Sequence, residues 1–481
     1  MKFKFILSAA ILCSIVCVGQ TKQWTLQECI ERALSENINI KQSELNVDAA
    51  EIDQLTAIGN FLPSINARGS VSENTGLSFN PVTNNAQTTT FLSVTGGINA
   101  GYTLFDGLRM FREAQRAKLS KLSAQYQLEK MEDDIALLVA NNFLQVVLNK
   151  ENLKVLQAQN EVTVGQIEQT QQLVDGGVLP QGDLLEVKAQ NANELQSIVA
   201  AENQVQISLI SLAQILLIKD YKNFDIEEAN FGIAGEDILL KSPGEIVESA
   251  KEERFEILIA EKDLELALKD MQLAKGAYFP TISAFFGYDT RYTDASSFTQ
   301  VADPNAPSTT RQIGFVEGSG QRVLSETPGF RSQLVGADPF VELFYQNDGI
   351  GYGISINIPI LNGFNTRAAV ARSKINVERN RYQLEQATLD LESNVYQAYL
   401  DAQGSLKAYE AAIVAAESQS LAYEYAQERY DVGLTNAFDF SQAKQRFDNA
   451  QIQLNQAKYE YIFRLKVLEL YFGIPPEDLK F

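Results

Sequence analysis

Tyr126-Gln127-Leu128-Glu129 occurs a second time as Tyr382-Gln383-Leu384-Glu385, 256 positions later in the chain. The same spacing aligns residues 102–212 with the C-terminal third of the chain without a gap. Loops tolerate insertions and long helices do not, so a register held this far predicts rigid helices. We expect each copy to be a very long helix, a short turn at Gly177 or Gly433, and a helix that runs back.

The stretch before each copy is also duplicated, at a shorter spacing of 217 positions. Leu62-Pro63-Ser64-Ile65 corresponds to Phe279-Pro280-Thr281-Ile282 in this register. The two spacings differ by 39 residues, so the second copy carries 39 extra residues between Pro280 and Gly363. The sequence therefore predicts two copies of one structural repeat, with an insertion in one loop of the second copy.

The N-terminus has the pattern of a secretory signal, which we assign to residues 1–20. A charged start precedes an apolar run that is too short to span a bilayer, and small residues follow it. Cleavage is expected after Gly19 or Gln20, and a short buried helix is the alternative. The residues before Cys13 and Cys17 are a poor fit for an acylated cysteine, so lipidation is not expected.

The composition argues against an enzyme. Histidine is absent, and only Cys29 remains after cleavage, which rules out an intrachain disulfide. We expect Cys29 to be a small buried thiol on an amphipathic helix. The histidine and cysteine side chains needed for a transition-metal site or a nucleophile–histidine pair are almost absent, and no glycine-rich phosphate loop is present. The net charge of −21 argues against nucleic acid. No cofactor and no metal are predicted.

Alternating apolar and polar residues predict β-strands in both repeats. Each strand is about ten residues long, which suits a tilted strand that crosses a bilayer. The strands are expected at 64–72, 91–105, 281–292 and 349–360, and residues 72–90 are expected to form a loop. A soluble β-sandwich is the alternative, but the signal sequence and the Tyr and Phe residues near the strand ends favour membrane strands.

Four strands cannot close a membrane barrel. Such barrels start at about eight strands, and open sheet edges are not tolerated in lipid. If these strands span a membrane, several chains must contribute to one barrel.

The complete predicted layout has two repeats around a short irregular segment. In chain order it comprises a signal peptide (1–20), a first repeat (21–217) with a helical hairpin at 107–217, an equatorial segment (218–243), a second repeat (244–472) with a helical hairpin at 363–472, and a tail (473–481).

Several motifs, in this order, resemble those of the TolC-like outer membrane efflux proteins, also called outer membrane factors. They are Trp24-Thr25-Leu26-Gln27-Glu28, Phe61-Leu62-Pro63 with Tyr278-Phe279-Pro280, Phe105-Asp106-Gly107 with Leu361-Asn362-Gly363, and residues 173–179 with residues 429–435. No single motif is decisive. The likeness covers essentially the whole mature chain, and the order of the motifs together with the duplication carries it.

The resemblance implies a mixed α/β membrane protein that assembles as a homotrimer. Three chains would each give four strands to a 12-stranded β-barrel in the outer membrane of a Gram-negative bacterium. A long periplasmic α-helical barrel would continue it. The resemblance also implies a passive exit duct of a tripartite efflux or type I secretion system. Its partners would be outer membrane lipid, a periplasmic adaptor (membrane fusion) protein and an inner-membrane pump of the RND or ABC type.

By motif position, the resemblance also suggests a periplasmic gate formed by Asp183, Glu186, Asp439 and Gln442. Asp439 matches the first of two ring aspartates in the family, whereas Gln442 stands in place of the second. Alternatively, Asp183 and Asp439 are helix N-caps, because Asp is a preferred capping residue. A family arginine that locks the closed tip is replaced here by Thr435.

The two helix-turn tips are the predicted adaptor-binding surface. Their glycines are also expected to end the long helices in the left-handed conformation, which is a purely structural role. The apolar residues beside them gain nothing from an exposed turn unless a partner buries them. The tip residues are Gly177, Val178, Leu179, Gly433, Leu434 and Thr435.

Two other functions remain open from the sequence. A duct of the same fold for cations is one of them, although histidine is missing and methionine clusters are absent. A structural or adhesive coiled-coil surface protein is the other, but it leaves the four alternating strands unexplained. The long external loop at 293–348 could cover the mouth, bind another surface protein or be mobile.

Overall fold

The computed structural model describes residues 22–80, 85–227 and 236–474. The expected signal peptide at 1–20 lies outside the described residues, as does most of the tail at 473–481. The middle of the equatorial segment also lies outside them. Both repeats show the same order of elements, namely two helices, two main strands, a long helix and a returning helix.

The elements are named here in chain order. The helices are α1 (Leu26–Glu36), α2 (Ile38–Gly59), α3 (Arg109–Asp175), α4 (Gln181–Ile215), α5 (Pro243–Glu253), α6 (Phe255–Gly276), α7 (Phe340–Gln346), α8 (Asn365–Asp431) and α9 (Ala437–Tyr471), with a 3₁₀ helix at Glu236–Leu240. The strands are β1 (Gln23–Trp24), β2 (Ser64–Asn80), β3 (Asn85–Phe105), β4 (Asp225–Ile226), β5 (Thr281–Thr293), β6 (Ser297–Ala302), β7 (Thr309–Phe315), β8 (Arg322–Thr327), β9 (Phe330–Val335) and β10 (Gly349–Asn357).

The helix bounds reproduce both sequence spacings. Helices α3 and α8 each have 67 residues, helices α4 and α9 each have 35, and both pairs are related by 256 positions. Helices α1 and α5, and likewise α2 and α6, are related by 217 positions. A helix of 67 residues is ~100 Å long at 1.5 Å per residue. The internal duplication is confirmed.

The long helices begin two residues later than expected because the junction before them is left-handed. Gly107 and Leu108 have φ angles of 74° and 65°, and the side chain of Asp106 accepts hydrogen bonds from the first amides of α3, those of Arg109 and Met110. The second repeat has the same pair of left-handed residues before α8. The side chain of Asp106 thus satisfies donors that have no partner within the helix.

The chain forms two units, and the first contains most of the helical residues. It comprises Met1–Gln54, Arg116–Asp270 and Ser373–Phe481. Its cores are duplicated as well: α1 packs against the middle of α3 and the end of α4, while α5 packs against α8 and the end of α9. The matched core positions, first repeat before second, are Cys29 with Ile246, Ala33 with Ala250, Val139 with Val395, Leu209 with Leu465, and Leu212 with Leu468.

Cys29 is a buried core thiol, as expected from the sequence. Its side chain is fully buried, and burial raises the pKa of the thiol to about 12. The helix that carries it begins with a capping box, in which Thr25 and Glu28 satisfy each other's backbone amides. Helix α5 begins with the same device at Ser242 and Glu245. Both short helices are therefore fixed at their first turn.

The second unit comprises Leu55–Gln115 and Met271–Arg372, and a four-stranded sheet is its centre. The strand order is β10-β5-β3-β2, and every neighbouring pair is antiparallel. Strands β2 and β3 pair without interruption from Ser64 and Gly101 to Asn80 and Asn85. The predicted loop at 72–90 is therefore wrong, because Thr75, Thr88 and Thr90 occupy positions of the face that carries Val71 and Val94, which hides the alternation while leaving backbone pairing intact.

The last main strand ends earlier than expected, and the inserted loop has structure of its own. Strand β10 ends at Asn357, since Pro359 has no amide hydrogen to give to a ladder. The range 293–348 contains two two-stranded antiparallel sheets, β6 with β9 and β7 with β8, followed by α7. The insertion is thus not an irregular loop, since it contains four short strands and a helix.

In the part of the chain that the structure describes, no helix combines the length and the apolar character needed to span a membrane.

Candidate functional site

The two helix-turn tips have the same backbone geometry. At the first tip Gly177 has a φ of 73°, its amide donates to the carbonyl of Val174, and the next amide, of Val178, donates to that of Leu173. At the second tip Gly433 has a φ of 72° and the same two bonds recur. This is the Schellman motif that ends helices, and glycine adopts it without steric cost. The left-handed glycines expected from the sequence are confirmed.

The apolar side chains at the tips are exposed in the single chain. Val178 and Leu434 are 68% and 71% exposed, and Val432 is 69% exposed. Leu179 and Thr435 are half-buried. Val432 is not among the tip residues predicted from the sequence, although its place beside Gly433 is a usable signal. Each tip thus presents at least one large apolar side chain to its surroundings.

Asp183 and Asp439 occupy the third position of helices α4 and α9, not the N-cap. Pro180 stands at the N-cap position of α4 without a side-chain hydrogen bond, and the side chain of Asn436 caps α9 by accepting from the amide of Asp439 at 2.8 Å. The N-cap alternative is therefore wrong, because each helix starts two residues before its aspartate. An acidic side chain in the first turn still interacts favourably with the helix dipole.

The four predicted gate residues lie near the starts of helices α4 and α9. Glu186, Asp439 and Gln442 are exposed, and Asp183 is half-buried. Among the described residues, no hydrogen bond or ion pair links Asp183 or Glu186 to Asp439 or Gln442. Gln442 instead accepts a hydrogen bond of 3.0 Å from Arg446, one turn further along α9.

A small aromatic core lies behind the second tip. Val187, Tyr430, Ala437 and Phe440 are buried together, and the rings of Tyr430 and Phe440 stack with centroids 5.0 Å apart. The buried hydroxyls of Tyr430 and Thr170 are 2.8 Å apart and share a hydrogen bond. This bond joins α3 of the first hairpin to α8 of the second. The bond is not predictable from the sequence, since no local pattern pairs residues 260 positions apart.

A buried polar network connects the hairpins further along the helices. Lys444 is 2% exposed, and its Nζ lies 2.8 Å from Glu194 Oε1 and 3.4 Å from Asp448 Oδ2. Thr163 and Asn160 of α3 also donate to the Glu194 carboxylate. Helices α3, α4 and α9 are therefore tied at one point by charge-assisted hydrogen bonds.

The two carboxylates of this network respond differently to burial. Burial raises the pKa of Asp448 to about 6, although Lys444 acts in the opposite direction. Burial also opposes ionisation of Glu194, but hydrogen bonds from Lys444 and from neighbouring side chains outweigh it and lower the pKa of Glu194. Glu194 is thus the more readily ionised of the two carboxylates beside Lys444.

The four-stranded sheet has one apolar face and one polar face, as the cross-strand register shows. The apolar face, named so from here on, consists of Ile65, Ala67, Val71, Val94, Ile98, Ala100, Tyr102, Ile282, Ala284, Phe286, Tyr288, Tyr292, Ile350, Tyr352, Ile354 and Ile356. The polar face carries Asn66, Arg68, Ser70, Thr95, Asn99, Thr103, Ser283, Asp289, Arg291 and Ser355, together with glycines and Phe285. Membrane barrels turn the first kind of face to lipid and the second to the lumen.

An ion pair crosses the polar face. Arg68 on β2 and Asp289 on β5 are both register partners of Gly97 on the strand between them. A Cβ atom at Gly97 would lie 2.3 Å from the Asp289 carboxylate, so glycine is needed for this approach. The sequence had offered no signal for the pair beyond the alternation that places both residues on one face.

Within the described residues, no group of three or more carboxylate or cysteine side chains is arranged to hold a metal ion.

A family model supports the interpretation of this arrangement. The model described as "Outer membrane efflux protein" matches residues 29–216 and 246–473, which are the two repeats. The chain belongs to the outer membrane efflux protein family.

Individual relatives agree with this assignment. The chain is 24% identical over 357 residues to outer membrane protein TolC of Vibrio cholerae, covering 72% of this chain and 69% of the relative. It is 25% identical over 136 residues to the alkaline protease secretion protein AprF of Pseudomonas aeruginosa, covering 28% of this chain and 27% of the relative. The outer membrane protein VceC of Vibrio cholerae has a similar structure, with a TM-score of 0.72 at 15% identity, covering 93% of this chain and 96% of the other.

Family membership and fold together identify the class of protein. The expected mixed fold of long helices and β-domain, built from two repeats, is confirmed. The chain is an outer membrane protein with a large periplasmic helical portion, and it forms part of an exit duct for efflux or secretion. Members of this family are passive channels rather than enzymes.

Proposed function

We propose that three copies of this chain form a passive export duct that docks through its six helix-turn tips onto a periplasmic adaptor. An inner-membrane pump of the RND or ABC type supplies the energy. The chain contributes the wall of the duct, the gate and the docking surface. The cation-specific duct and the adhesive coiled-coil protein receive no support from a specific contact of the described residues.

The observation that carries the proposal is the four-stranded sheet with its two unlike faces and two open edges. Its edge strands, β2 and β10, have no outer neighbour among the described strands, and they run in opposite directions. Copies can therefore join edge to edge as antiparallel pairs. Closure is required in lipid because open edges leave backbone groups unsatisfied. Four strands are too few, whereas three chains supply twelve.

The tips support the docking step. Helices α3 and α8 have equal lengths, and identical turns end them. Val178 and Leu434 are exposed there, and a partner that buries them gains hydrophobic free energy. A trimer would present six such turns at one level.

The gate would arise only in the assembled trimer. Asp183 and Asp439 sit in the first turns of the returning helices, and Glu186 lies three residues after Asp183 on α4. Three copies of these acidic residues would surround the narrow end of the tunnel. Thr435 offers a hydroxyl in place of the family's locking arginine, so the closed state would be held by other bonds.

Light scattering of the detergent-solubilised protein tests the assembly. The expected protein mass is that of three mature chains, which is somewhat below three times the 53.4 kDa of the full sequence, and single-particle images should show a barrel with a central channel. A stable monomer would contradict the proposal, since the sheet would keep two open edges. Crosslinking in cells then tests docking. A crosslinker attached to a tip residue should capture an adaptor protein while the outer membrane is intact, and not otherwise.

A further inference from the structure

Helix α7 ends the inserted range and leads directly into strand β10. Its sequence is Phe340-Val341-Glu342-Leu343-Phe344-Tyr345-Gln346, and Gly349 begins the strand three residues later. From the sequence alone, this stretch is part of the external loop at 293–348, whose role stays open among several alternatives.

The helix lies against the sheet through two phenylalanines. The rings of Phe340 and Tyr292 meet edge to face with centroids 4.9 Å apart. The ring of Phe344 lies above Gly96, where an added Cβ atom would come within 3.2 Å of it. The buried hydroxyl of Thr290 donates a hydrogen bond to the carbonyl of Phe344. Helix α7 is thus held by ring contacts and by a backbone anchor.

These contacts place α7 on the apolar face. Gly96 and Thr290 are register partners, and so are Val94 and Tyr292. Both pairs follow the alternation of the apolar face, which is opposite to the side with Arg68 and Asp289. A membrane barrel turns its apolar face outward. Helix α7 therefore lies on the outside wall of the barrel, not in its lumen.

The helix has three distinct sides, because successive residues are about 100° apart. Phe340 and Phe344 face the sheet. Glu342 and Gln346 share a hydrogen bond of 3.1 Å on a side open to water. Val341 and Tyr345 lie one turn apart on a third side and are 64% and 71% exposed. This third side is an apolar stripe beside an apolar wall.

The carboxyl end of α7 lies further from the outer end of β5 than its amino end does. The outer end of β5 is Thr293, where the insertion starts, and its inner end follows α6. Phe340 meets Tyr292 and Phe344 meets Thr290, so α7 runs along β5 from the outer end inward, and Tyr345 follows Phe344 at the inward end of the helix. Tyrosine suits such a place, since its ring is apolar and its hydroxyl stays in contact with water or headgroups.

We propose that α7 is an interfacial helix that rests Val341 and Tyr345 in the headgroup region of the outer leaflet. The helix would thereby fasten the 293–348 insertion to the outside wall of the barrel. This inference rests on the proposed barrel, which fixes the apolar face as the lipid side. Asp338, Glu342 and Asp348 give the segment a negative charge, so apolar contact rather than attraction to anionic lipid provides the binding.

Tryptophan fluorescence in lipid nanodiscs tests the proposal on the full chain. Trp24 is the only native tryptophan, so the background variant is Trp24→Phe. Three single additions are compared in this background: Tyr345→Trp on α7, Ile354→Trp on the apolar face, and Phe315→Trp on β7. Each variant is measured in ordinary lipid, in lipid brominated near the headgroup and in lipid brominated in the middle of the acyl chain. Circular dichroism verifies that the variants are folded.

We expect Tyr345→Trp to emit at shorter wavelength than Phe315→Trp and to lose intensity mainly with the shallow bromine. Ile354→Trp should lose intensity in either brominated lipid, and Phe315→Trp in neither. If Ile354→Trp is quenched and Tyr345→Trp is not, the interfacial helix is wrong while the barrel stands. A blue-shifted but unquenched Tyr345→Trp would mean that protein covers the stripe. If Ile354→Trp itself is not quenched, the proposed orientation of the barrel, on which this inference rests, is wrong.

Discussion

Arg68 Nη2 lies 2.6 Å from Asp289 Oδ1, and the two side chains meet above Gly97, which is the register partner of both. The pair spans three strands on the polar face of the sheet. Both side chains are more than half exposed, so the pair stabilises the fold little. Its position on the proposed lumen wall gives it an electrostatic effect on whatever passes, which leads to the first prediction.

Removing one partner of this pair should change the ion selectivity of the channel. Arg68→Ala leaves an unbalanced Asp289 in each chain, so the preference for cations should rise. Reversal potentials in planar bilayers under a salt gradient measure this preference. The double variant Arg68→Ala with Asp289→Ala restores charge balance and should return towards wild type. Equal reversal potentials for all three proteins would show that the polar face does not line the lumen.

The second prediction concerns docking by the tips. Leu434→Asp with Val178→Asp should leave the trimer assembled while abolishing efflux and crosslinking to the adaptor, because burial of a carboxylate opposes contact. The matched control, Leu434→Met with Val178→Ile, keeps the tips apolar and should retain efflux. Loss of the trimer in the aspartate variant would favour a structural role, and retained efflux would exclude the tips from the docking surface.

The third prediction concerns the gate. Asp439→Ala with Glu186→Ala should weaken block of conductance by multivalent cations, since such ions bind to clustered carboxylates. Titrations of a trivalent cation in planar bilayers provide the measurement. The conservative pair Asp439→Glu with Glu186→Asp preserves the charge and should preserve block. Unchanged block in the alanine variant would refute the ring.

The fourth prediction tests the buried network. Lys444→Met leaves Glu194 and Asp448 without their cation, and breaking a buried pair costs about 3–5 kcal/mol of unfolding free energy. Lys188 occupies the equivalent position of the first repeat and is exposed, so Lys188→Met should change stability by less than ~0.5 kcal/mol. Denaturant titration of both variants measures the difference. Equal effects would mean that Lys444 is not buried in the assembled protein.

The fifth prediction is a pH dependence of stability at Asp448. Its pKa is about 6 in the folded chain against an ordinary value of 3.8, so the folded state binds more protons between these values. Stability from this group is therefore present at low pH and is lost as the pH rises through 6.

Asp448→Asn should then be more stable than wild type above pH 6, by roughly 1–3 kcal/mol. The difference should vanish as the pH approaches 4. Asp133, whose pKa burial also raises to about 6, is present in both proteins, so its contribution cancels. Denaturation midpoints across this pH range measure the effect, and parallel curves for the two proteins would contradict it.

The sequence determined the elements that follow from local pattern and from duplication. A spacing of 256 positions predicted two hairpins of equal length, because a helix cannot absorb an insertion without losing its register. Gly177 and Gly433 were placed correctly in left-handed turns, since few other residues adopt that conformation. Where local pattern was weak, at 72–90 and in the insertion, strands were missed because backbone pairing does not require alternating side chains.

Contacts between distant positions were decided only by the tertiary structure. Thr170 with Tyr430, and Glu194 with Lys444, are each 250 or more positions apart. Nothing local distinguishes buried Lys444 from exposed Lys188, which share the same place in their repeats. The placement of α7 on the apolar face was likewise decided only by the tertiary structure. A helix of seven residues is too short for its sequence pattern to show which surface it packs against. Only the register of β3 and β5 positions Gly96 and Thr290 beneath Phe344.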